Sequence, residues 1–176
     1  MSTTTSRHAP LDEVAALARP VVAGVIWATL ATVGPDGRPR TRIVHPVLRW
    51  DDPPTGWITS RPTALRRRHL AACPFVSLGY WSPAHDVVAV DCHAEWVDRN
   101  GLEVAWESIR AEPGPAGFDP ATIWPDGPSS PTFAVIRLRA HRVRVSLALD
   151  AARGDPAAIW SVPSSGPATG AGTVRP

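Results

Sequence analysis

The chain has 176 residues, 44% of them apolar and 19% charged, and a formal net charge of +2. That balance suits one globular domain with its own core, excludes a disordered chain, and is too weakly basic to argue for a nucleic-acid partner. No apolar run reaches the ~20 residues of a membrane span, and the start MSTTTSRHAP has no signal-peptide core, so a cytoplasmic protein without membrane contact is expected.

Two further features of composition bear on chemistry. Cys73 and Cys92 are too few for a disulfide framework and are expected as reduced thiols. The chain has no lysine, so all 18 basic residues are arginine. Schiff-base catalysis is thereby excluded, while bidentate recognition of phosphate or carboxylate is favoured.

In chain order, residues 11–19 read as a short helix with Asp12 and Glu13 in its first turn and Pro20 as its stop. Residues 25–33 and 38–50 form a hairpin around Gly34-Pro35-Asp36-Gly37, where proline at the second position and glycine at the fourth fit a type I turn. Alternation puts Arg40, Arg42 and Val44 on one face of the return strand, and Thr41, Ile43 and His45 on the other. A turn at 51–56 leads to a strand at 57–60. A helix capped by Ser60 or Thr63 then runs to about Cys73, where Pro74 ends it. Strands follow at 75–81 and 86–97, separated by a loop at 82–85.

Leu102, Ala105, Trp106 and Ile109 sit at helical spacing, which predicts a third helix. Residues 112–131 read as an irregular loop whose Phe118, Ile123 and Trp124 want burial. The last strand spans 132–150 and is bent or bulged near Ala140. Residues 151–176, rich in Ala, Ser, Gly and Pro, read as a poorly ordered tail apart from Ile159-Trp160. The expected organisation is thus a lead-in at 1–19, a barrel domain at 20–150 and a tail at 151–176. Antiparallel neighbours and few helices point to a mainly β fold, a closed or partly closed barrel with peripheral helices. No Gly-rich dinucleotide fingerprint follows a strand.

Three sets of residues could carry chemistry. Arg40 and Arg42 with Thr59, Ser60, Arg61 and Arg66 combine a strand end, hydroxyls, a helix start and guanidinium groups, which suits a phosphate. Asp91, His93 and Glu95 share one face of a strand, with His85 and Asp86 nearby. They read better as a polar strand face than as a metal site or proton relay. The eight tryptophans suit a core and a subunit interface, with Trp81 the best candidate to stack on a flat ring.

The segments ATLATVGPDGRPRTRIV, ITSRPTALRRRHLAACPFVSLGYW and VDCHAEWV resemble the pyridoxamine 5′-phosphate oxidase-like flavoproteins over about residues 20 to 149. The resemblance implies a six- to seven-stranded antiparallel split β-barrel. It also implies a homodimer that holds FMN, or the deazaflavin coenzyme F-420, in clefts between subunits. Arg42 falls at the family's phosphate-contacting strand arginine. Ile43, Val44 and His45 run beside the ring, Thr59, Ser60 and Arg61 lie near the phosphate, and Arg66 replaces a phosphate-binding lysine. Tyr80 and Trp81 match a Leu-x-Tyr-Trp strand, with Trp81 approaching the ring from the partner subunit.

Val87 or Val88 stands where the family has a flavin-contacting glutamine. The Arg-x-His-x-Arg substrate motif of the vitamin B6 oxidase has no clean counterpart around Arg137 to Arg142. The expectation is therefore an oxidoreductase acting on a small organic substrate, distinct from the vitamin B6 enzyme. His45 and His85 are the candidates for acid or donor to that substrate. A non-catalytic flavin or haem module, with His85 or His93 as axial ligand, is the alternative of a different class.

Overall fold

The computed structural model describes residues 6–163. The parts of the expected lead-in and tail at 1–5 and 164–176 lie outside the described residues. Four helices accompany a sheet of nine strands, and no described helix is long and apolar enough to cross a membrane.

Helix α1 (Leu11–Val25) does not stop at Pro20 but runs through it. Its Val14, Ala18, Val21 and Val22 form one buried stripe, which outweighs the helix-breaking tendency of a single residue. Pro20 and Ala16, whose carbonyl would lose its partner, are both exposed, so water can satisfy that group. The chain leaves α1 through Ile26 at φ 65°, an unfavourable region for a β-branched residue, and this exit presents Trp27 to solvent.

The hairpin follows the turn chemistry, with Gly37 N–H donating to Gly34 O at 2.9 Å and Gly37 at φ 72°. Strand β2 (Ala28–Val33) pairs with β3 (Pro39–Val44) from Ala28↔Val44 to Val33↔Pro39. Pro46 has no N–H to continue that ladder, so the return strand breaks at His45. Strand β4 (Pro46–Arg49) pairs instead with β5 (Thr55–Ser60). This one proline separates what reads in sequence as a single strand and opens the corner where the candidate site lies.

Thr63 caps α2 (Ala64–Ala72), its side chain accepting from Arg66 N–H. Strand β6 (Phe75–Trp81) pairs with β2 and with β7 (Val87–Trp96). Helix α3 (Leu102–Arg110) buries Ala105, Trp106 and Ile109 as its spacing predicts. Strand β8 (Ala134–Ser146) is irregular where Arg142 faces Asp91 and Ala140 faces Cys92, which leaves His141 as the extra residue. Before this bulge β8 pairs with β5, and after it with β9 (Ala158–Ser161). The bulge is thus where one long strand changes neighbour.

Strand β9 gives a place in the sheet to Ile159-Trp160, the pair set apart from the expected tail, and to their neighbours Ala158 and Ser161. Ala158, Ile159 and Trp160 are buried, and β9 also takes β1 (Arg7–His8) alongside it in parallel. A short helix α4 (Ala148–Arg153), closed by Gly154 at φ 86°, brings the chain back to that edge. The sheet order is β1-β9-β8-β7-β6-β2-β3, with β5 on β8 and β4 on β5. The sheet is antiparallel apart from β1–β9, and no ladder joins β3 to β4 among the described residues, so it is not closed. It therefore has nine strands where six or seven were expected.

Two cores result. The main one lies between α1 and the inner face of β2, β6, β7 and β8, and includes Leu30, Leu78, Tyr80 and Trp160. The second joins α3 to β4 and β8 through Val47, Trp106, Trp124, Phe133 and Val135. Trp124 is buried and donates to Thr132 O at 3.2 Å, whereas Ile123 of the same loop is exposed. Because Trp160 is part of the main core, Trp160→Ala is expected to lower unfolding free energy by about 3–5 kcal/mol. Denaturant unfolding measures this, and a change too small to resolve would return β9 to the tail.

Candidate functional site

A groove of about 460 Å³ lies where β3 breaks into β4, a volume within the usual range for a small-ligand site. The break supplies Ile43, Val44 and His45. The end of β5 supplies Thr59, Ser60 and Arg61, α2 supplies Arg66, and Trp27 with Phe118, Ile123 and Trp124 forms the apolar walls. Seven residues singled out in the sequence, at 43–45, 59–61 and 66, are therefore brought together around one cavity.

Arg66 lines this groove, and Arg42, which is not among its lining residues, lies near enough for its charge to act on Arg66. Arg66 Nη1 donates to Ser60 Oγ, which itself donates to Arg61 O at 3.0 Å. Arg42 Nη1 donates to Thr32 Oγ1 at 3.2 Å. Burial pushes both guanidinium groups below their ordinary pKa, and the nearby charge of Arg42 pushes Arg66 further. Neither has a carboxylate partner among the described residues, and Arg66 Nε is buried without a hydrogen-bond acceptor. Two half-buried like charges and an unused donor make a site that favours an anion. Ser60 serves here as the partner of Arg66, and Arg40 turns to Pro39 O on the exposed side.

His45 Nε2 lies 2.7 Å from Ala116 O. A carbonyl only accepts, so Nε2 carries the hydrogen and the neutral ring keeps its lone pair on Nδ1. The ring stacks on Phe118 at 4.7 Å and tilts against Trp27 at 5.2 Å. Burial lowers its pKa, partly opposed by the bond to Ala116, so the neutral form prevails near pH 7. His45 is thus suited to accept a hydrogen bond and poorly suited to act as an acid. Sequence reasoning missed Trp27, because the apparent strand at 25–33 begins only at Ala28.

Other expected residues lie elsewhere. Tyr80, expected beside the cofactor, is 1% exposed in the main core with its hydroxyl unpartnered among the described residues, and it does not line the groove. Trp81 is 63% exposed on the outer face, tilted against His85 at 5.4 Å. Neither lines the groove of its own chain. Asp91 accepts from Ser77 at 2.7 Å and pairs with Arg142 at 3.0 Å, while Glu95 pairs with Arg137, so cross-strand partners occupy both carboxylates.

The family model described as pyridoxamine 5′-phosphate oxidase matches residues 16–146. No match was found among curated proteins. Among solved structures, one from Clostridium acetobutylicum is a protein related to general stress protein 26 of B. subtilis, of the pyridoxinephosphate oxidase family. It aligns with a TM-score of 0.66 at 13% identity, over 88% of this chain and 97% of that one. A heme binding protein from Mycobacterium smegmatis gives 0.59 at 23%, over 84% of this chain and 57% of that one. A pyridoxamine 5′-phosphate oxidase-related, FMN binding protein from Nostoc punctiforme gives 0.55 at 15%, over 84% and 85%. At these identities the likeness is one of fold.

The depressed pKa of His45 has a testable consequence for stability. The unfolded imidazole titrates near its ordinary value of about 6.5. As pH falls through that value the unfolded chain takes up the proton first, and stability drops. Gln at this position keeps an N–H donor for Ala116 O but does not titrate. His45→Gln is expected to lose less of its thermal midpoint than the native protein between about pH 7 and about pH 5. Parallel curves for the two proteins would count against it.

Proposed function

Because the chain belongs to the pyridoxamine 5′-phosphate oxidase family, we propose that it is an FMN-dependent oxidoreductase acting on a small organic substrate. The pairing of Arg42 with Arg66, uncompensated among the described residues, supports this reading most directly. Arg42, Arg66 and the Thr59-Ser60 strand end would hold the cofactor phosphate, with the α2 N-terminus adding its dipole. FMN, when bound, supplies the hydride chemistry, and the protein supplies placement and electrostatics. The backbone of Ile43, Val44 and His45 would border the ring. His45 Nδ1 would accept a hydrogen bond there, and Trp27 and Phe118 would keep water from that side. Arg61, exposed at the rim, would meet substrate or the outer phosphate oxygens.

The cleft is proposed to be shared by two copies arranged as split barrels. The outward face of β2, β3 and β6 carries Ile43, Phe75 and Trp81, all largely exposed, with the small residues Thr29 and Thr41 among them. Ala31, Ser77 and Gly79 lie between them in register and leave a flat surface. Trp81 and His85 would reach a groove only from a second copy. A reducing cytoplasmic compartment suits the two unpaired cysteines.

Haem binding is a second reading, favoured by the fold shared with the Mycobacterium smegmatis protein and by exposed His85 and His93 on the outer face. Coenzyme F-420 is a third, in which exposed Arg61 and Arg68 would meet its anionic tail. Arg67 is already engaged over the Trp96 ring at 5.0 Å.

Absorbance spectra of the purified protein titrated with FMN, F-420 and haem separate the three. A flavin spectrum with saturable binding is expected, and a Soret band with no flavin binding would favour haem. Arg42→Ala and Arg66→Ala should each weaken FMN binding by about 1.5–3 kcal/mol while leaving riboflavin, which lacks the phosphate, nearly unchanged. Equal losses for both ligands would remove the phosphate assignment. Sedimentation should give the mass of a dimer, and Phe75→Glu should shift it to monomer, because a charge would enter an apolar contact.

A further inference from the structure

We propose that Thr32 and His69 form a relay that positions Arg42, so that a buried imidazole outside the groove, accepting through Nδ1, holds the guanidinium in place for a phosphate. The proposal rests on the assignment of Arg42 to a cofactor phosphate. Thr32 and His69 are both buried, at 1% and 3% exposure, and neither lines the groove. Thr32 Oγ1 accepts from Arg42 Nη1 at 3.2 Å and lies 3.1 Å from His69 Nδ1. The hydroxyl has a single hydrogen, and no other acceptor for it exists among the described residues. Donating that hydrogen to His69 Nδ1 satisfies every group, and makes the oxygen a better acceptor for the guanidinium.

With Nδ1 accepting, Nε2 carries the hydrogen on the side of Gly34, where the space a Cβ would fill lies 3.0 Å from His69 Nε2 and 2.7 Å from Asp36 Oδ1. Asp36 itself accepts from Arg38 N–H at 3.2 Å. Imidazole, hydroxyl and guanidinium lie in series, connecting α2, β2 and β3.

Two measurements test the relay. In the free protein, imidazole ¹⁵N spectra should show neutral His69 protonated on Nε2, and a neutral ring protonated on Nδ1 overturns the proposal whatever the ligand. FMN affinity is then compared at one fixed pH in the native protein, Thr32→Val and His69→Asn. Thr32→Val should weaken FMN binding about tenfold with riboflavin unaffected. Asparagine places an acceptor near the position of Nδ1, so His69→Asn should stay within about twofold of native affinity. Native affinity in Thr32→Val, or a loss in His69→Asn as large as in Thr32→Val, overturns the relay while leaving the phosphate site standing. Failure of the native protein to bind FMN removes both.

Discussion

Two guanidinium groups held half-buried beside one another, with no carboxylate between them among the described residues, are the constraint on which the rest of this structure turns. Placing like charges together away from water is unfavourable, and proteins tolerate it where an anion is to be bound. Arg42 comes from the hairpin and Arg66 from the first turn of α2, so bringing them together requires that helix to lie across the end of the sheet. Buried His69 and Leu70 anchor it there. The hydroxyls of Thr32 and Ser60 each hold one guanidinium without neutralising it. Orientation is thereby fixed while the positive charge remains available.

The sheet provides the frame through two local irregularities with identifiable causes. Pro46 cannot donate to a ladder, so the return strand of the hairpin breaks and the corner at His45 opens. The bulge at His141 lets β8 serve β5 along its first half and β9 along its second. The first irregularity forms the groove, and the second keeps β5, with Thr59 and Ser60, in register beside it.

Several elements were legible in the sequence because their signals are local. The Gly34–Gly37 turn, the Thr63 cap, the strand at 75–81 and the buried stripe of α3 all follow from short-range chemistry and spacing. The bend near Ala140 was also foreseen. Other readings failed where a tertiary contact overrode a local preference. Pro20 does not end α1, because the Val14, Ala18, Val21 and Val22 stripe gains more from burial than one missing hydrogen bond costs. Ile159 and Trp160 stood apart from the tail by their apolar character, but that they form a strand on the open edge of the far half of β8 is a relation no local pattern announces. Tyr80 matched a family position, yet strand alternation turns it into the core.

By itself the sequence determined which residues could bind an anion and that arginine alone would supply the positive charge, since side-chain chemistry needs no fold to be read. It also determined where most strands and helices begin, through turn residues and periodicity. Only the tertiary structure decided that Arg42 lies close to Arg66, which lines the groove, and that His45 is a neutral acceptor pinned to Ala116. It also revealed that Thr32 and His69 stand behind Arg42. Those relations join residues up to 71 positions apart. They depend on strand register and helix placement, which burial of the whole core fixes together and no short segment encodes alone.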